Sequence, residues 1–194
     1  MQKMKIVGIT GAIGCGKTTL ANMIRKLGYE VFDADKEVGQ LYENKEFLNV
    51  IKNNFPLAFD NGIFDKKKLR KIVFSNQKEL LKLETLIEPF LQKLFQDKIK
   101  EVSHGEGIFF VDAVLLFEKG WHKYCDKVIC VKVDLETQKQ RVMKRDKISE
   151  KEFFDIYYLQ MNSEKKCALA DEIIDTGCSL EELEEKAKNV VRNL

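Results

Sequence analysis

Residues 4–24 read MKIVGITGAIGCGKTTLANMI, and this stretch decides the fold class. Lys5–Thr10 is an apolar run typical of a buried strand, and the segment after Thr18 has the pattern of a helix. Between them, Gly11–Thr18 (GAIGCGKT) fits G-x-x-x-x-G-K-[ST], a phosphate-binding loop. Its glycines let backbone N–H groups turn inward around a phosphate chain, and the following helix adds its positive dipole end. The stretch predicts a nucleoside triphosphate site; the alternative is a glycine-rich turn followed by a surface lysine.

Several groups of this loop have predicted roles. The loop residues expected to contact the nucleotide are Gly11, Gly14, Cys15, Gly16, Lys17 and Thr18. Cys15 would contribute only through its backbone. Lys17 would reach the β- and γ-phosphates, and the Thr18 hydroxyl would bind Mg²⁺.

Composition limits the classes of protein that fit. The chain has 194 residues and a net charge of +2, from 33 basic and 31 acidic residues, which argues against bulk nucleic-acid binding. The N-terminal apolar run is too short to span a membrane. Five cysteines form no C-x-x-C pair, and no secretory leader is evident, so we expect reduced thiols and a cytoplasmic protein.

Most of the predicted strands are apolar nearly throughout, and helical stretches separate them. The candidates are Lys5–Thr10, Tyr29–Asp33, Gly107–Asp112, Lys127–Asp134 and Glu172–Asp175. This pattern predicts an α/β fold in which helices cover a parallel sheet. The C-terminal helix has a capping box, with Ser179 as N-cap and Glu182 three residues later.

Two long segments interrupt the alternation. Residues 36–105 form a predicted helical insertion, with helices at Lys36–Tyr42, Lys45–Asn53, Asp65–Phe74 and Gln77–Val102. Pro89 predicts a kink or a division of the last of these, and Asn61-Gly62 marks a tight turn in a turn-rich break. The second segment, residues 135–170, is highly charged, which is typical of a mobile surface flap.

Acidic residues follow two of the predicted strands, where ligands of open α/β sheets bind. In FDADK, Asp35 or Asp33 could accept the proton of an acceptor hydroxyl. The alternative for Asp35, compatible with this role, is to cap a helix beginning at Lys36. Asp112 ends the apolar run of GIFFVD and resembles a Walker B aspartate that holds Mg²⁺ through water. Glu118 follows where the chain leaves the sheet, and it either lines the site or is an acid at a helix start or in a surface ion pair.

Arg141 and Arg145, in QRVMKRD, share one face of a predicted helix. Arginines commonly stabilise the negative charge that develops during phosphoryl transfer, so both are candidates to contact ATP, with Arg141 in a catalytic role. The alternative is a solvated basic face.

Together, GITGAIGCGKTT, VFDAD, LLFE, QRVMKRD, a late Gln and Lys, and ADEIID resemble the dephospho-coenzyme A kinase family over nearly the whole chain. The resemblance implies a three-layer P-loop kinase fold with a five-stranded parallel sheet and helices on both faces. It divides the chain into a nucleotide-binding core (residues 1–35, 106–134 and 171–194), a coenzyme A-binding insertion (36–105) and a lid (135–170). It also implies phosphoryl transfer from ATP, with Mg²⁺, to the ribose 3′-hydroxyl of dephospho-coenzyme A.

Carried over by position, the resemblance adds Thr19 to the nucleotide loop and makes Asp35 the catalytic base. It also places Gln160 and Lys166 in the later lid pattern. The sequence departs from the family pattern at Gly39, Glu88, Val114, Ile156 and Thr176. Lost arginines at two of these positions leave the acceptor-side phosphate contacts open. Two other functions remain: another small-molecule P-loop kinase, for example on a nucleoside monophosphate, or a nucleotide-binding switch. We expect a monomer or a weak homo-oligomer, with no nucleic-acid or membrane partner.

Overall fold

The computed structural model describes residues 3–74 and 76–194. The strands are β1 (Lys5–Thr10), β2 (Glu30–Asp33), β3 (Phe59–Asp60), β4 (Ile63–Phe64), β5 (Ile108–Asp112), β6 (Lys127–Lys132) and β7 (Glu172–Asp175). The α-helices are α1 (Lys17–Lys26), α2 (Ala34–Leu41), α3 (Lys45–Asn54), α4 (Lys66–Phe74), α5 (Gln77–Ser103), α6 (Leu135–Asp146), α7 (Glu150–Tyr157), α8 (Ser163–Leu169) and α9 (Leu180–Arg192). The first two residues of the predicted core range and Ser75 of the predicted insertion lie outside the described residues.

Five strands form one parallel sheet in the order β2-β5-β1-β6-β7, which confirms the predicted sheet. β1 is central, and the phosphate-binding loop leaves its carboxyl end. In the register, Asp112 of β5 pairs with Ile9 of β1 on one side and with Asp33 of β2 on the other. The carboxyl ends of three neighbouring strands therefore bring acidic side chains close to the loop.

Apolar faces of the first and last helices cover this sheet. Leu20, Ala21 and Ile24 of α1 are fully buried in the same core as Val7 and Ile9 of β1. α9 buries Leu183, Ala187 and Val190 in that core, at the three- and four-residue spacing of one helix face. The predicted capping box is confirmed, because the Ser179 side chain accepts from the Glu182 N–H and the Glu182 side chain accepts from the Ser179 N–H. The sheet with flanking helices confirms the predicted fold class.

The chain divides into two compact units. One comprises the chain up to Asp33 together with Glu101–Leu194, and the other comprises Ala34–Lys100. The second unit has its own apolar core, which includes Phe47, Ile51 and Leu69. The ligand-binding roles predicted for residues 36–105 and 135–170 stay predictions.

The turn-rich break inside the second unit is a small β-hairpin. β3 and β4 pair antiparallel, with Phe59 opposite Phe64. Asn61 (φ 48°) and Gly62 (φ 83°) form the turn, and two consecutive positive φ angles are typical of a type I′ hairpin turn. The predicted turn is therefore correct, whereas the two short strands were not predicted, because two residues are too few to show alternation.

Two local predictions are wrong, and a third is wrong in part. Pro89 does not divide α5, which runs from Gln77 to Ser103 with Leu91 and Phe95 buried beyond the proline, whereas a kink at Pro89 stays a prediction. α2 begins at Ala34 rather than Lys36, so Asp35 lies inside the first turn and is not its N-cap. β6 ends at Lys132, and Asp134 instead caps α6 by accepting a hydrogen bond from the Thr137 N–H. In the part of the chain that the structure describes, no helix has the length and apolarity needed to cross a membrane.

Candidate nucleotide-binding site

The loop between β1 and α1 has the backbone of a phosphate cradle. Gly14 (φ 78°) and Gly16 (φ 90°) adopt left-handed conformations that favour glycine. At Gly14, an added Cβ would lie 2.7 Å from the Gln138 carbonyl oxygen and 2.7 Å from Val142 Cγ2, so α6 packs directly against the loop. Among the described side chains, none caps α1, and the positive end of its dipole faces the loop.

Lys17 begins α1 and is 6% exposed. Its ammonium forms an ion pair with the carboxylate of Asp112, which is 1% exposed at the end of β5. The predicted Mg²⁺ ligand and the predicted phosphate ligand therefore contact each other. Thr18, the other predicted Mg²⁺ ligand, is exposed in the first turn of α1.

Thr176 links the loop to the predicted lid helix. Its hydroxyl donates to the Cys15 carbonyl at 2.6 Å. The Arg141 guanidinium donates to the Thr176 hydroxyl at 3.3 Å and to the Thr176 carbonyl at 3.1 Å. These contacts hold Arg141 of α6 beside the loop. Arg145, one turn later, is exposed and pairs with Asp146.

The Cys15 side chain points into the core beneath the loop. It is 1% exposed, and burial raises the pKa of its thiol, while the Lys17 N–H and the Lys17 charge oppose the shift more weakly. The thiol therefore remains neutral near pH 7. This environment agrees with the prediction that Cys15 acts through its backbone.

A second set of contacts reaches the loop from the segment between α7 and α8. The Ile13 N–H donates to Gln160 Oε1 at 3.0 Å. The next residue, Met161, donates its N–H to Glu118 Oε1 at 2.9 Å. Glu118 Oε1 also lies 3.0 Å from the Lys166 ammonium, whose side chain is 0% exposed. Glu118 thus forms an ion pair with Lys166. Its contact with Met161 connects it to the neighbouring Gln160, which bonds the loop.

The two candidate bases differ in their surroundings. Asp33 Oδ2 accepts from the Arg25 guanidinium at 3.1 Å, and both side chains are partly exposed. Asp35 lies in the first turn of α2 and is exposed. An exposed carboxylate can meet a hydroxyl from solution more readily than one that is paired, and this difference favours Asp35 as the base.

The comparisons with known proteins agree with this geometry. The model of the dephospho-CoA kinase family matches residues 5–182. The chain belongs to the dephospho-CoA kinase family. The dephospho-CoA kinase of Bartonella quintana is 40% identical over 192 residues, with 98% of each chain covered, and that of Aquifex aeolicus is 38% identical over 194 residues, with 98% of each covered. The predicted resemblance and the predicted phosphotransferase class are confirmed, and membership of a kinase family implies ATP as a substrate.

Solved structures support the same family and fold. A Thermus thermophilus protein has a TM-score of 0.81 and 34% identity, covering 100% of this chain and 99% of its own. Dephospho-CoA kinase from Campylobacter jejuni has a TM-score of 0.70 and 25% identity, covering 98% and 97%. Shikimate kinase from Bacteroides thetaiotaomicron, at 13% identity, 97% and 98% coverage and a TM-score of 0.54, shares the fold alone.

Sequence reasoning missed the connections made by Thr176, Gln160 and Lys166. In the sequence, Thr176 differs from the family pattern and carries no other signal, yet it is 2% exposed and bonds both the loop and Arg141. Lys166 lies in a charged segment, where a lysine is usually solvated. The late Gln and Lys of the family pattern were the available signal, because they mark these positions without showing their contacts.

Proposed function

We propose that this chain transfers the γ-phosphoryl group of ATP to the ribose 3′-hydroxyl of dephospho-coenzyme A, the last step of coenzyme A biosynthesis. The observation that carries the proposal is the phosphate-binding loop with Lys17 at the start of α1, in a chain of the dephospho-CoA kinase family. The proposal also assigns Gly11, Gly14, Cys15, Gly16, Lys17, Thr18, Thr19 and Arg145 to ATP binding.

In the proposed mechanism, the loop amides and the N-terminus of α1 bind the triphosphate. The Lys17 ammonium leaves Asp112 and contacts the β- and γ-phosphates, where the charge is greater than on one carboxylate. Arg141, held by Thr176 beside the loop, stabilises the charge that develops on the transferring group.

The donor atoms fit Mg²⁺. Mg²⁺ prefers oxygen ligands, keeps several waters and uses few protein groups. The exposed Thr18 hydroxyl offers one such oxygen, and the Asp112 carboxylate, once Lys17 has moved, offers another directly or through water. When bound, the ion would neutralise charge on the phosphate oxygens.

Asp35 is proposed as the base that orients the acceptor hydroxyl and removes its proton. The support is its place two residues after the carboxyl end of β2, its exposure, and its position in the family pattern. We assign no residues to the phosphates of the acceptor, since Gly39 and Ile156 occupy positions where the family pattern has arginine.

The test is ATP consumption with Mg²⁺ in the presence and absence of dephospho-coenzyme A, with the product identified by mass. Acceptor-dependent ADP release together with coenzyme A is the expected result. ATP consumption stimulated only by another small hydroxy compound or by a nucleoside monophosphate would move the chain to a different kinase activity. Nucleotide binding with slow hydrolysis and no response to any acceptor would favour a switch function.

A further inference from the structure

Lys166 is a charged side chain with no solvent exposure. Its ammonium donates to the Val114 carbonyl and pairs with Glu118 Oε1 at 3.0 Å. Removing an ammonium from water is costly, and the cost is offset only when good partners surround it. The two partners of Lys166 therefore offset the cost of burying its charge, and the fold depends on both contacts.

The partners of Lys166 lead to the phosphate-binding loop by two routes. Glu118 Oε1 also accepts from the Met161 N–H at 2.9 Å, which fixes the backbone beside Gln160. The Val114 carbonyl also accepts from the Thr10 hydroxyl at 3.1 Å, at the end of β1 and directly before the loop. The ammonium thus connects α8 with the segment after β5, and through that segment with the end of β1.

Gln160 is the residue through which this network touches the loop. Its Oε1 accepts the Ile13 N–H at 3.0 Å, inside the GAIGCGKT motif. A loop amide held in this way has a fixed peptide plane, and the neighbouring peptides that would face a triphosphate are oriented with it. The position of Gln160 depends on Met161, and the position of Met161 depends on Glu118 and Lys166.

We propose that Lys166 and Glu118 are positioning residues for nucleotide binding, which act through Gln160 on the Ile13 amide of the phosphate-binding loop. The proposal rests on the proposed function only for the identity of the nucleotide. Neither residue contacts the phosphates in this assignment. A hydrophobic residue of similar volume could fill the space of Lys166, but it could not hold a carboxylate, and we expect some loss of stability because one partner of the ion pair is removed.

The first experiment measures hydrogen exchange of the Ile13 amide by NMR in the folded protein. Lys166→Met and Gln160→Ala should each accelerate this exchange by about two- to tenfold, since each loosens one hydrogen bond. The Val7 amide in central β1 reports global opening, so the acceleration at Ile13 is the part that exceeds any change at Val7. Lys151→Met is the matched control, because Lys151 also pairs with a carboxylate, Asp155 at 3.5 Å, but is exposed.

The second experiment measures ATP affinity by calorimetry and the steady-state constants of the kinase reaction. Both variants should raise the Kd and KM for ATP by about fivefold and leave kcat nearly unchanged, because loop positioning affects the ground state and the transition state alike. The double variant Lys166→Met/Gln160→Ala should be no weaker than either single variant. Additive effects, or unchanged ATP affinity in Lys166→Met, would overturn the proposal.

Glu118→Gln keeps the inference testable if Lys166→Met fails to fold. The Gln side chain has the same shape and can still accept from Met161, but it lacks the charge that holds the ammonium. It should also accelerate Ile13 exchange and weaken ATP binding, and wild-type values for both would overturn the proposal. ATP binding by the wild-type protein without phosphorylation of dephospho-coenzyme A would refute the proposed function and leave this inference intact.

Discussion

The phosphate-binding loop and the segment from Gln160 to Lys166 each contain a buried lysine paired with a carboxylate near the end of β5. In the loop, Lys17 is 6% exposed and pairs with Asp112; in the segment, Lys166 is 0% exposed and pairs with Glu118. The two differ in the number of their partners. Within the described chain Lys17 has a single carboxylate, whereas Lys166 also bonds a backbone carbonyl.

This difference separates an exchangeable charge from a fixed one. A lysine with one partner can exchange it for a triphosphate of greater charge by breaking a single ion pair. A lysine whose partners belong to several parts of the chain cannot move without breaking the contacts that join them. We therefore expect Lys17 to act on the ligand and Lys166 to act on the protein.

The largest effect should come from Lys17→Met. We expect kcat/KM to fall by about 10³-fold, since the variant removes a cation that stabilises charge on the transferring group. The same variant should lower the free energy of unfolding by about 3 kcal/mol, because it removes the ammonium that pairs with the buried Asp112 carboxylate. Steady-state kinetics and urea denaturation measure the two effects.

The double variant Lys17→Met/Asp112→Asn separates stability from activity. It should recover most of the lost stability, because the buried charge is gone, and it should remain as inactive as the single variant. Recovery of turnover together with stability would mean that Lys17 is structural, and the contrast with Lys166 would then disappear.

Asp35→Asn tests whether a charge outside both regions takes part in the chemistry. We expect kcat to fall by about 10²-fold with little change in the KM for ATP, because the base acts on the acceptor hydroxyl. The loose transition state of phosphoryl transfer keeps the loss below that of Lys17→Met. Asp33→Asn is the matched control and should retain most of the turnover, since Asp33 pairs with Arg25. Equal losses in both variants would show that the assignment to Asp35 is wrong.

Gly14→Ala tests whether the loop depends on α6 as well as on Gln160. The added Cβ would approach the Gln138 carbonyl oxygen and Val142 at 2.7 Å, at a φ that disfavours alanine. We expect about a tenfold loss in kcat/KM and a loss of about 1–3 kcal/mol in the free energy of unfolding.

Gly39→Ala provides the control for this substitution. Among the described atoms, none lies within 4 Å of a Cβ at Gly39, which is inside α2. Alanine there should raise the free energy of unfolding by about 0.5–1 kcal/mol without changing ATP affinity. If Gly14→Ala binds ATP as tightly as this control, the loop is less constrained than its packing indicates.

The strands of the sheet can be predicted well from the sequence, whereas the side-chain contacts within the site can be predicted only poorly. The five strands could be predicted because strands buried on both faces are apolar runs, and the loop because phosphate binding needs glycines at fixed spacing. Pro89 does not mark the end of a helix, since α5 continues past it to Ser103. The hairpin at Asn61-Gly62 could be predicted only as a turn.

The role of a side chain whose partner is distant in sequence could not be predicted. Lys17 lies inside a motif, so its ligand follows from local spacing. Lys166 bonds Val114, 52 residues away, and Thr176 bonds Cys15, 161 residues away, and no periodic pattern encodes such contacts. Charge patterning describes Lys166 as solvated, and only the folded chain shows that it is buried.

The smallest effect concerns two cysteines that report on the two regions, Cys15 two residues before Lys17 and Cys167 directly after Lys166. Burial raises the pKa of the Cys15 thiol, so at pH 8 it holds less thiolate than a free cysteine, and the thiolate is the form that iodoacetamide attacks. Cys167 is half-buried and should be labelled at least about tenfold faster in the native protein, as mass spectrometry of timed samples would show. ATP should leave the Cys167 rate unchanged if its region is fixed. Rapid labelling of Cys15 without nucleotide would mean that the loop opens in solution. The loop backbone, and not only the Lys17 ion pair, would then rearrange before nucleotide binds.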